Sequence, residues 1–119
     1  MMQTERGRRA VGEFSERDAP FAFDEEVFFF RVLEWRGTTP ALRFYGAGLR
    51  EGVARTRVDD AALLDAVGAL EEAAEACAIH LVARTGSLLV VDNWHALHYR
   101  CEQTVEVEHP RRAILMFVR

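Results

Sequence analysis

The sequence predicts a small, mainly β domain with one helix. Short apolar runs rich in β-branched and aromatic residues recur at 26–35, 41–45, 80–84, 87–91 and 111–119, each bounded by turn residues. Helical periodicity is confined to one stretch, 59–77. A chain of 119 residues is long enough for one domain, and no repeat or second composition zone divides it.

Taken in order, residues 1–20 read as a flexible tail: charged, with Gly and Ser, and closed by Pro20. Phe21 and Phe23 would pin its end to a domain spanning 21–119. The run 26–35, with phenylalanines at 28, 29 and 30, reads as a strand. Gly37-Thr38-Thr39-Pro40 then signals a turn into a second strand at 41–45, so the two can form a hairpin. Gly46-Ala47-Gly48 lacks the Lys-Ser/Thr of a phosphate loop and reads as a turn or bulge. In 59–77, Asp59 or Asp60 can cap a helix whose apolar face is Leu63, Val67, Leu70, Ala74 and Cys77. Glu71, Glu72 and Glu75 form its solvated side. Thr85-Gly86 links two expected strands, 80–84 and 87–91, and Asp92-Asn93 ends the second in a turn. In the last run, Arg112, Ile114, Met116 and Val118 share a face.

Composition excludes several function classes. A formal net charge of −4, with no basic block beyond Arg6 to Arg9, argues against nucleic acid as a partner. No apolar run approaches the ~20 residues of a membrane span, so no membrane role is expected. The first twenty residues are polar, unlike a signal peptide, and Cys77 and Cys101 suit a reduced, cytoplasmic protein. No Gly-x-Ser-x-Gly is present to support a serine nucleophile.

Two residues carry candidate chemistry. His98 lies just past the Asp92-Asn93 turn, and a neutral imidazole binds metals. Arg112 opens the last strand-like run, and a guanidinium held there can clamp a carboxylate through two parallel bonds.

The segment Gly86-Ser87-Leu88-Leu89-Val90-Val91-Asp92-Asn93, followed by His98-Tyr99-Arg100 and by Arg112-Ala113-Ile114-Leu115-Met116, resembles the C-terminal signature of the iron(II)- and 2-oxoglutarate-dependent oxygenases of the taurine dioxygenase and clavaminate synthase type. The resemblance implies half of a double-stranded β-helix, or jelly roll, completed by a partner chain. It implies that His98 is the distal iron-binding histidine and that Arg112 holds the far carboxylate of 2-oxoglutarate. Arg100 would bind the co-substrate or brace the loop. Arg43 falls where the family often places a basic residue facing the substrate; as a strand-edge residue it can equally face solvent.

The chain departs from that family at two places. Position 116, often Arg there, is Met. No His is followed two positions later by Asp or Glu, so the other two iron ligands of a facial triad are missing. Asp92, His95 and His98 have a spacing that could gather three ligands on a helix, but Asp92-Asn93 reads as the turn itself. The expectation is therefore a subunit of a split oxygenase. Its second polypeptide would carry the N-terminal half and the missing ligands for Fe(II), and the pair would use 2-oxoglutarate to oxidise a small molecule. The alternative is a non-catalytic, oxygenase-like protein acting as an interaction or stabilising subunit, possibly as a homodimer.

Overall fold

A computed structural model describes residues 4–56, 59–82, 84–93 and 95–98. The described elements run α1 (Glu5–Glu16), β1 (Asp18–Phe23), β2 (Glu26–Arg31), β3 (Leu33–Arg36), β4 (Thr39–Leu42), α2 (Gly46–Thr56) and α3 (Ala61–Ala76). β1 pairs with β2 and β3 with β4, each an antiparallel two-stranded sheet.

This corrects the expected architecture. The described residues form a mixed domain of three helices and two small open sheets, not a mainly β fold with one helix and not half a jelly roll. The difference begins at the N-terminus, where the expected tail is α1 and the start of β1. The Thr4 hydroxyl accepts the Gly7 N–H at 3.0 Å and caps the helix, and Glu5 lies in the first turn, where negative charge favours the helix dipole. Gly7, Ala10 and Phe14 fall on one buried face, while Glu5 pairs with Arg9 and Glu13 with Arg17 on the solvent side. The charges that suggest a tail are the exposed half of an amphipathic helix.

The β1–β2 hairpin turns through Asp24 and Glu25, with Asp24 at φ 52°, a left-handed conformation that Asp tolerates. Its register runs from Phe23↔Glu26 to Asp18↔Arg31. The expected strand over 26–35 is broken at Val32, which is fully buried and bends the chain into β3. The Val32 carbonyl accepts the Arg43 N–H at 2.7 Å, which ties the end of the β3–β4 hairpin back to this bend.

Gly46-Ala47-Gly48, read as a turn, is the first turn of α2. The helix can form there because its glycines meet backbone: a Cβ on Gly52 would collide with the Pro20 carbonyl, and one on Gly48 would strike the Tyr45 ring and come within 3.1 Å of the Ala22 oxygen. α2 therefore lies directly along β1. α3 matches its expected periodicity, with Leu63, Ala66, Val67 and Leu70 buried. Cys77 does not continue that face; it is the exposed C-cap. The core joins Ala10 and Phe14 of α1, Ala19 and Phe21 of β1, Leu49 and Val53 of α2, and the α3 face.

Ion pairs fasten the helices to one another. Arg17, at the C-cap of α1, donates to both carboxylate oxygens of Asp60 at 2.6 and 2.7 Å. Asp60 also accepts the Leu63 N–H at 3.1 Å as the N-cap of α3, and its side chain is only 12% exposed. The Arg17 bonds, helped by the Leu63 N–H, hold the Asp60 carboxyl below its ordinary pKa. Arg6 bridges α1 to Asp65 and Glu72 of α3, and Arg50 of α2 grips both oxygens of Glu71 at 2.6 Å. Among the described residues no helix is long and apolar enough to cross a membrane.

The expected strands 80–84 and 87–91 form no ladder among the described residues. Their connecting turn does form: Gly86 sits at φ 83°, the Ser87 N–H donates to the Arg84 carbonyl at 3.0 Å, and the Ser87 hydroxyl accepts the Arg84 N–H at 3.1 Å. The turn is local chemistry, whereas a strand needs a partner edge.

Two predictions follow from these contacts. Because the Asp60 pKa is lowered on folding, its contribution is full above the unfolded carboxyl pKa of about 3.9 and fades as pH falls through the lower folded value. Arg17→Ala should destabilise the chain by about 2 kcal/mol in denaturant unfolding at neutral pH, the scale of a charge-assisted bond, and the difference from wild type should shrink below about pH 4. Asp60→Asn, which keeps a capping side chain, should show the same flattened acid dependence. Separately, Gly12→Ala in α1, where a Cβ meets only Glu16 at 3.8 Å, should stabilise by about 0.5–1 kcal/mol, whereas Gly52→Ala should destabilise and shift the α2–β1 packing.

Candidate functional site

Of the residues singled out for chemistry, His98 and Arg43 are described, while Arg100 and Arg112 lie outside the described residues, as does Cys101. The turn before His98 forms as expected: His95 and Ala96 N–H groups donate to the Asp92 carbonyl at 3.1 and 2.9 Å. His95 Nδ1 is 2.7 Å from Asp92 Oδ2, so the two side chains close the same turn. His98 follows on the exposed surface. Among the described residues no three His, Cys, Asp or Glu side chains are grouped to hold a metal. Asp92, His95 and His98 therefore do not make the local three-ligand site that their spacing allows, and one exposed imidazole does not by itself fit an iron centre. His80 is also exposed.

Arg43, expected to face either a substrate or solvent, packs on an aromatic ring. It is half-buried just after β4, with its guanidinium 4.8 Å from the centre of the Phe30 ring. That contact places it at the rim of an aromatic row. Phe21 and Phe23 of β1 and Phe28 and Phe30 of β2 share one sheet face, with ring centres 5.9–6.2 Å apart along the row. Tyr45 stacks on Phe23 at 5.8 Å. The row begins in the core at Phe21 and ends in water, with Phe23, Phe28 and Tyr45 exposed. Phe29, on the opposite face, is 59% exposed. The sequence signal for this row is the alternation Phe21/Phe23 and Phe28/Phe30 around Asp24-Glu25, which reads as a hairpin only once residues 18–23 are recognised as a strand.

A second apolar surface lies beyond α3. Ile79, Leu81, Val82, Leu88, Leu89 and Val90 are 62–89% exposed on either side of the Thr85-Gly86 turn. A groove of about 370 Å³ between α1 and α3 has a floor of small residues, including Ala10, Ala62 and Ala66, and a rim of Arg9, Glu13, Glu16 and Asp65. Among the described residues it is lined by no histidine, cysteine or hydroxyl side chain, and its ionisable groups are Arg9, Glu13, Glu16 and Asp65. No family model, no curated protein and no solved structure matches this chain.

Proposed function

We propose that the chain is a non-catalytic interaction subunit that binds another polypeptide through residues 79–90. One observation carries this reading: six large apolar side chains, Ile79 to Val90, stand in water on two runs already joined by a formed turn. Folded chains rarely keep a contiguous apolar surface uncovered. Covering it contributes about 25 cal/mol per Å², or about 2 kcal/mol for each of the larger side chains. The two β-branched runs need only a neighbouring edge to become strands, so the partner that fits is a protein with an open sheet edge or an apolar groove beside one.

A second reading keeps the split oxygenase. It is favoured by the Gly86 to Arg100 segment and by the formed Asp92-Asn93 turn that precedes His98. On that reading the partner would supply the His-x-Asp/Glu ligands, and the Fe(II) and 2-oxoglutarate would be bound only by the assembled pair.

Native purification followed by reconstitution from pure components distinguishes the two. Val82→Asp and Leu88→Asp are each expected to weaken the reconstituted complex at least about tenfold, the equivalent of 1.4 kcal/mol, without altering the circular dichroism of the free chain. Unchanged affinity in both variants would refute the docking segment. Iron and 2-oxoglutarate uptake by the complex, abolished by His98→Ala, would favour the oxygenase reading over the non-catalytic one.

A further inference from the structure

We infer that β2 is a self-pairing edge, through which two copies of the chain join into a continuous four-stranded antiparallel sheet. The hairpin register decides which backbone groups of each strand face outward. A two-residue turn makes Phe23↔Glu26 the closing hydrogen-bonded pair, so hydrogen-bonded and open pairs alternate from there. The inward-facing backbone groups of β2 belong to Glu26, Phe28 and Phe30. The outward-facing N–H and C=O groups belong to Val27, Phe29 and Arg31. On the β1 side the same rule turns Pro20 and Ala22 outward, and these are the carbonyls that α2 approaches through Gly52 and Gly48. One edge of the sheet is thus covered by a helix. On the other edge, no strand among the described residues pairs with β2.

That open edge carries none of the usual protection. Native edge strands are blunted by charge, proline or a bulge. β2 reads Glu-Val-Phe-Phe-Phe-Arg, with Phe28 and Phe29 exposed in the middle and charge only at its ends. The strand is also self-complementary. A two-fold axis through Phe29 sets Phe29 opposite its own copy and pairs Val27 with Arg31 of the second copy. All three outward residues then hydrogen-bond across the axis. On the other sheet face Phe28 comes opposite Phe30 of the second copy, which extends the aromatic row from one chain into the next. Arg31 of each copy then lies one diagonal step from Glu25 of the other, on the same face. Arg31 can take such a partner. Its side chain is 40% exposed, so the outer guanidinium can reach across while Nε stays 3.4 Å from Asp18 Oδ1. Aromatic facing aromatic and acid facing base, both repeated by symmetry, select a second copy over an unrelated chain.

This dimer does not depend on the docking segment at 79–90, and its failure leaves that reading intact. The test is the mass of the full chain by light scattering and sedimentation over a range of concentrations, with hydrogen exchange read residue by residue. The expected result is a dimer whose Val27, Phe29 and Arg31 amides become protected as concentration rises. Phe29→Lys, which places like charges on the axis at an exposed position, should weaken dimerisation at least about tenfold with unchanged circular dichroism, whereas Val82→Asp should leave it unaltered. Glu25→Arg should weaken it and make it less salt-sensitive. A monomer at every concentration, or a dimer that Phe29→Lys does not weaken while β2 amides exchange freely, overturns the proposal.

Discussion

The chain is held in its arrangement by the contact between Arg17 and Asp60. Arg17 stands where α1 gives way to β1, and Asp60 stands where α3 begins. The two-oxygen grip fixes the end of one helix against the start of another across a long stretch of chain that contains both hairpins and α2. An exposed ion pair adds little to stability, but this carboxylate is mostly shielded and also caps α3. The Asp60 side chain therefore couples local helix initiation to tertiary docking. With α1 and α3 in place, Phe14, Phe21, Leu63 and Val67 come together in one core.

Around that core the polar and apolar surfaces are separated. The cations of α1 and α2 bind carboxylates of α3, so the helical side is knit by charge. The sheet side has a different character. Its aromatic residues leave the core in a row, with Arg43 resting on Phe30 at one end and Glu26 opposite Phe23 at the other. The run after α3 repeats the pattern with aliphatic residues. Two uncovered apolar surfaces among the described residues are an arrangement that water disfavours and a protein surface relieves.

What could be read in the sequence was what local chemistry decides. The Asp60 cap and the Leu63, Val67 and Leu70 spacing gave α3, and Gly37-Thr38 gave the β3–β4 hairpin. The turns at Thr85-Gly86 and Asp92-Asn93 form for the same reason, since their hydrogen bonds are made within a few residues. Elements decided by distant contacts were hidden. The charged face of α1 resembles a tail until Phe14 is seen packed edge-on to Phe44. The glycines of α2 resemble a break until β1 is seen pressed against them. The runs at 80–84 and 87–91 have strand composition, but composition supplies no neighbouring strand. The same limit applies to the candidate site. The position of His98 after its turn was legible, whereas the company it keeps is a property of the fold. The aromatic row needed the pairing of Phe21 with Phe28 before its residues could be placed on one face.

The seating of α2 on β1 gives the sheet two unlike edges. With the Pro20 and Ala22 carbonyls shut behind a helix, the sheet has a single growing side. A second copy paired along β2 would present in turn only its own helix-covered β1 side. The pairing proposed for β2 would on this geometry close at two copies.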